Sequence, residues 1–323
     1  GVAFAALAVG TQFLSAQSHA SSLLVLLRTE NQLAIVDAGT GKVTGRVATG
    51  ADPHGVAASA DGRFAFTANQ KGNSLSVIDL ESLKEVRRVD LGSGSQPHDI
   101  LFAGGKVYFT VEGYKAIERY DPAASTIDWI FGTGQNSTHM LIISKDLNRI
   151  FAANRASGTI TAIDGVAGGP PAWNATLIPV TKGSEGIAIS PDGREVWAAT
   201  WGNSSVSIID AATNVVTATF DSQTKHANRV QFTPDGRHVF LLDREGGDTV
   251  IVDAASRKEI KRLKIGADAM LMQPDGSHAY LAVDAHTPGG ENYIAVVDVK
   301  TLQETSRIPT GSGADAMAWA PRR

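Results

Sequence analysis

Cysteine is absent from the chain, and so is any cluster of basic residues. Without cysteine there are no disulfides, thiolate nucleophiles, Cys-ligated zinc sites or iron–sulfur clusters. Covalently attached c-type haem is excluded as well, because its attachment needs Cys-x-x-Cys-His. A net charge of −4 with no run of Lys or Arg argues against a nucleic-acid partner, which needs clustered cations to neutralise phosphates. Charged residues make up 19% and aromatics 7%, while 43% of the chain is hydrophobic. That balance fits neither a disordered nor a membrane protein, and it supplies enough apolar surface for a large core.

The one long apolar run lies at the start. Val2 to Leu14 carries no charge and is followed by Ser18-His19-Ala20, whose small residues suit a secretory cleavage site. The run is short for a membrane span, which needs about 20 residues. Residues 1–20 therefore read as a signal segment and 21–323 as one exported domain, periplasmic or secreted, with no membrane span in the mature chain. A retained anchor is the competing reading.

An apolar strand ending in Asp recurs seven times, at Asp37, Asp79, Asp121, Asp164, Asp210, Asp253 and Asp298, separated by 42 to 46 residues. Ser76-Val-Ile-Asp79, Ser207-Ile-Ile-Asp210 and Ala295-Val-Val-Asp298 illustrate it. Ahead of it in four copies lies a second signal, Asp61-Gly62, Asp192-Gly193, Asp235-Gly236 and Asp275-Gly276, each between two β-prone runs. Asp-Gly reads as a tight hairpin turn whose residues take positive φ. Gly104-Gly105 and Asp146-Leu-Asn148 stand in its place in the two variant copies. The terminal Asp with small polar residues after it, as in Asp210-Ala-Ala-Thr213, suits an Asx-type turn.

Four strands in about 43 residues is the period of a propeller blade, so the expected fold is an all-β, seven-bladed β-propeller with four antiparallel strands per blade. Leu23–Leu27, Leu33–Val36 and Lys42–Val47 supply strands two to four of a blade, and Ala316–Ala320 reads as its missing first strand. The C-terminal strand is therefore expected to close the ring on the N-terminal blade. The Gly/Pro-rich stretches Gly165–Pro179 and His286–Asn292 read as long loops.

Phe66-Thr-Ala-Asn69, Phe109-Thr-Val-Glu112, Phe151-Ala-Ala-Asn154, the Val-Ile-Asp strands and the Ser190-Pro-Asp-Gly193 turn resemble the YVTN family of β-propellers, including its YncE-like and cytochrome d1-like members. The resemblance spans roughly residues 22–320 and implies the fold. Its members include exported binding proteins and relatives of haem d1 propellers and of lactonases, so it implies no single function.

The residue seven positions before each turn Asp is His54, His139, Glu185, Asn228 or Asp268. Local matches add His98, in Gln-Pro-His, and Asp315, in Ala-Asp-Ala-Met. In a propeller these starts of the innermost strands converge on one mouth of the central channel. His54, His98, His139 and Glu185 come from consecutive blades and form a candidate set for Zn, Fe, Mn or Cu. The ring also fits a wet mouth that binds a small molecule, or an inert ring copied by repeat duplication. Around it the second strands end at Asn69, Asn154, Thr200 and Asp243, with Arg155, Trp201 and Arg244 next to them. Glu112, Tyr114, Asp284 and His286 hold comparable places in the irregular blades.

Arg155 and Arg244 are candidates to clamp an anion, and Trp201 and Tyr114 to stack on a ring. Asn69, Asn154, Asn228, Asp268, Asp315 and His286 complete the candidate ligand contacts. His226, His238 and His278 read as surface or inter-blade residues.

Three functional readings follow: an exported protein binding a small molecule or an anionic ligand at the channel mouth; a metal-dependent lyase or lactonase-like hydrolase in which Glu185 or Asp243 moves a proton; and a non-catalytic scaffold for a protein partner. Haem d1 in the channel is a further option.

Overall fold

The computed structural model describes residues 21–166, 173–285 and 291–321. The expected signal segment and His286 lie outside them. Twenty-eight strands form seven four-stranded antiparallel sheets, and no α-helix occurs among the described residues. These are the seven blades. Their innermost strands, which line the central channel, are Ala314–Ala320 in blade 1, Pro53–Ala58 in blade 2, Pro97–Ala103 in blade 3 and Thr138–Ile143 in blade 4. Ser184–Ile189, Ala227–Phe232 and Ala269–Met272 serve blades 5, 6 and 7.

Blade 1 confirms the expected closure. Ala314–Ala320 pairs antiparallel with Ser22–Leu27, matching Leu24 to Ala318 and Val25 to Met317. Leu23 to Leu27 have no exposed surface, so the last strand covers an otherwise bare hydrophobic edge. Burial elsewhere follows strand position. Second and third strands read as nearly continuous buried runs, as in Phe64–Asn69 and Ser74–Asp79. Outer strands alternate with one face in solvent, as in Val215–Asp221. The apolar clusters sit between adjacent blades; Trp197 of blade 5, for example, packs edge-on to Phe232 of blade 6.

The turns obey their local chemistry. Asp37, Asp79, Asp210, Asp253 and Asp298 each accept a backbone N–H three residues on, the expected Asx turn. The Asp-Gly hairpins are wider than a two-residue turn. Ser59 N–H bonds Phe64 O across a four-residue loop, Ser59 Oγ bonds Asp61, and only Gly62 takes positive φ, at 68°. One expected loop contains a strand: Asn174–Pro179, inside the Gly165–Pro179 stretch, pairs along its whole length with Thr159–Asp164 as the outer strand of blade 4. Its Ala-Thr-Leu-Ile core suits an edge strand, and the flanking Gly and Pro concealed it.

Candidate functional site: the mouth of the central channel

A repeated irregularity builds the mouth. In blades 2 to 6 the pairing of the first two strands slips at the same place. Pro53 faces Asn69 and Gly55 faces Ala68, so His54 between them has no partner. Equivalent slips fall at His98, His139, Glu185 and Asn228. In blade 1 the slip falls at Asp315. A β-bulge frees one residue from the pleat and re-aims its side chain. Repeated around the ring, it turns six polar side chains toward the channel axis. Gly55 sharpens the effect, because a Cβ there would meet His98 O at 2.6 Å. Its absence lets the inner strands of blades 2 and 3 approach.

The structure brings together the ring read from the sequence, and all seven members are buried. His54 and His98 stack with ring centres 4.6 Å apart, and His98 and His139 lie 3.8 Å apart at 34°. Carboxylates close both ends of the stack. Asp315 sits 2.9 Å from His54 Nδ1. At the other end Glu112 contacts His139 Nδ1, and Glu185 lies 3.5 Å from His139 Nε2. Glu185 also meets His226 Nε2 at 3.4 Å and Arg155 at 3.2 Å.

Protonation follows from these neighbours. Burial and the two flanking imidazoles hold His98 well below the ordinary histidine range, so it is neutral. Burial pushes His139 the same way, but Glu112 and Glu185 outweigh it and raise its affinity for a proton. Glu185 is held far below the usual carboxylate range: burial opposes this, and hydrogen bonds from His139 and His226 prevail. Asp315 is lowered likewise by His54.

The stack is not a ligand set for one ion as it stands. With metal–nitrogen bonds of about 2.1 Å, two imidazoles on one tetrahedral ion keep their ring centres about 5 Å apart. His98 and His139 are closer than that, with their ring planes tilted by 34°. Among the described residues no group of three or more His, Asp or Glu side chains is arranged to hold a metal.

Above the ring opens a cavity of about 480 Å³ lined by Arg28, Lys71, Arg244, Asp268, Asp284 and Asp315, among others. Its cations are already paired: Arg28 with Asp52 at 2.7 Å, Lys71 with Asp52 at 3.5 Å, Arg244 with Asp268 at 2.8 Å, while Asp284 accepts the backbone N–H of Gly313. On the far side of the mouth Trp201, 46% exposed, stacks on His226, with the Arg155 guanidinium 5.5 Å from its ring. Tyr114 is equally exposed, but its hydroxyl donates to Ser93 O and holds it on the rim.

Other expected site residues serve the scaffold. Asn69 accepts from Thr67 and donates to Ser74 and Ser76, locking its own hairpin. Asn154 repeats this with Thr138, Thr159 and Thr161. Asp243, expected as a proton carrier, accepts the backbone N–H groups of Lys225, His226 and Gly246. It therefore braces the loop that carries His226.

Sequence reasoning placed His226 outside the site, yet it is buried against Glu185 and Trp201. Its position, one residue before the inner strand of blade 6, was the available signal. Arg229 was missed because it follows the bulged residue: it is mostly buried, and its Nη1 lies 4.0 Å from Glu185. Asp52 and Arg28 were missed because blades 1 and 2 meet there across distant sequence.

Residues 1–177 match the model of the YNCE-like beta-propeller family, and residues 185–322 match that of the cytochrome D1 heme domain. No curated protein matches the chain. Among solved structures, a chain of Kuenenia stuttgartiensis hydrazine synthase is 19% identical, with a TM-score of 0.74 over 90% of this chain and 99% of that one. A putative 6-phosphogluconolactonase from Bacteroides uniformis is 16% identical, with a TM-score of 0.73 over 93% and 99%. A functionally unknown protein from Desulfotomaculum acetoxidans is 13% identical, with a TM-score of 0.74 over 94% and 99%. At these identities the likeness is one of fold.

Proposed function

This chain belongs to the YNCE-like β-propeller family, and from that premise we propose that it is an exported binding protein that captures a small zwitterionic solute at its channel mouth. One observation carries the reading: the mouth cavity is lined by both signs, and each of its cations already holds a carboxylate. A plain anion entering there must strip Arg244 from Asp268 and leaves a carboxylate uncompensated, which is costly at a partly buried site. A solute carrying both signs exchanges one set of pairs for another. The ring beneath, fixed by stacking and ion pairs, provides a preorganised floor. Export is supported by the apolar Val2–Leu14 stretch and the small residues that follow it.

The test is calorimetric titration with an amino acid such as serine, then with acetate and ethylammonium separately. Serine should bind, each half-molecule at least about tenfold more weakly, and Arg244→Gln should weaken serine by about tenfold or more. Binding of acetate or a dicarboxylate as tight as that of serine would replace this reading with an anion-binding one.

A metal-dependent lyase or hydrolase keeps one supporting observation. His54 Nε2 and His98 Nδ1 are buried without a hydrogen-bond partner among the described residues, and His98 is neutral, as a metal ligand must be. Elemental mass spectrometry of protein purified without a metal-affinity tag decides it. Stoichiometric metal, lost in the His98→Ala/His139→Ala double variant, would favour the enzyme; no metal after reconstitution with divalent ions would remove it.

A further inference from the structure

Beneath the histidine layer the channel holds a second cavity of about 510 Å³ that the mouth does not use. It runs the length of the inner strands, from His54, His98 and Asp315 at one end to Lys145, Pro191 and Pro234, in the hairpin turns of the opposite face, at the other. Its volume lies in the range of sites for drug-sized molecules, about 300–1,000 Å³.

The wall is mostly aliphatic, and three of the chain's four methionines, Met140, Met270 and Met317, contribute to it. Methionine's unbranched, polarizable side chain adapts to irregular apolar shapes. The polar groups are few and sit among this apolar surface. Gln231 Oε1 and His98 Nδ1 are buried and have no hydrogen-bond partner among the described residues. Such atoms are expensive to leave unpaired.

Charge at the histidine end narrows the class. Arg229 is the cation in this lining there; it lies 4.0 Å from the adjoining Glu185, and its charge also acts on Asp99 and Asp315. Removal from water raises Asp99 above the usual carboxylate range, with Arg229 and the bond from Leu141 N–H only partly opposing this. An added anion there meets carboxylates that already compete for one guanidinium. A second cation would face Arg229 itself. A neutral molecule meets neither obstacle.

From this juxtaposition we infer that the channel below the histidine ring is a binding site for a neutral, apolar molecule of aromatic size. The compartment touches the mouth cavity at Asp315 and is otherwise lined by different residues, so the inference does not rest on what the mouth binds.

A matched pair of fluorescent probes tests it. N-phenyl-1-naphthylamine is neutral and has one N–H; 8-anilino-1-naphthalenesulfonate is the same scaffold with an added sulfonate. With the full chain, the neutral probe should bind saturably and the sulfonate at least about tenfold more weakly. Ile189→Trp, which fills the channel away from the ring, should abolish probe binding. Serine titrated into Ile189→Trp should behave as it does with the wild type. Circular dichroism and thermal melting check that Ile189→Trp folds; Met270→Trp blocks the same cavity from another blade if it does not. Equal affinity for the two probes, no saturable binding, or unchanged binding by a folded channel-filled variant would each overturn the inference.

Discussion

His98 spends its burial unusually: its ring lies between two other imidazoles, and its Nδ1 has no hydrogen-bond partner among the described residues. It stays neutral where its neighbour His139 holds its proton more tightly, and this difference sets the pH response. His139 lies above its ordinary value, so the stability it lends is complete below about pH 6.5 and fades as pH rises through its folded-state value. Glu185 lies below its ordinary value, so its contribution is present above about pH 4.5 and fades only on further acidification. His98 works against the fold in acid, because below about pH 6.5 the unfolded chain accepts a proton that the folded ring refuses. His139→Gln should therefore destabilise by about 3 kcal/mol between about pH 5 and 6.5, where both partners contribute, and by less as pH rises beyond. Calorimetric melting of wild type and variant from pH 4.5 to 8.5 checks this, and a difference that does not vary with pH would refute it.

At the scale of elements, two devices recur among the blades. The bulge in the inner strand re-aims one polar residue, and the hairpin between second and third strands is locked from inside by a buried side chain such as Asn69. Asn69→Ala removes three hydrogen bonds and strands the hydroxyls of Thr67 and Ser74, while Ser76 keeps the Gly50 N–H; it should cost about 1–3 kcal/mol without changing the fold, as read by denaturant unfolding. Gly62 sits in the bottom hairpin of blade 2 with φ at 68°, and a Cβ there would clash with Pro321 O, just past the closing strand. Gly62→Ala therefore meets backbone strain and a clash together, and should lower the melting temperature. Gly193→Ala, with a similar φ but no atom within 4 Å, should lower it by less. Comparing the two melts separates strain from clash.

For the whole molecule, the ring is held shut by one strand. Removing residues 314–323 would bare Leu23 to Leu27, take Asp315 from His54, and leave blade 1 with three strands. The truncated chain should lose its single cooperative transition or melt about 10 °C or more below the full chain, and a synthetic peptide of residues 312–323 added in excess should restore part of the loss. Circular dichroism with and without the peptide reads both effects. An unchanged melt would mean that the other six blades carry the stability alone.

The seven repeats, the blade closure, the Asx turns and the ring positions were legible in the sequence, because each depends on local spacing that duplication preserved. The strand Asn174–Pro179 was hidden because Gly and Pro beside it outweighed its own pattern. Which face a ring residue presents was not local: it depends on a slip of one pairing against the next strand, and Asp243 and Asn154 turn into their hairpins while His226 turns into the site. The sequence determined that three histidines and three carboxylates meet at one end of a channel. Only the tertiary structure decided that the imidazoles stack instead of converging, because their separation is set by how closely the inner strands of neighbouring blades approach.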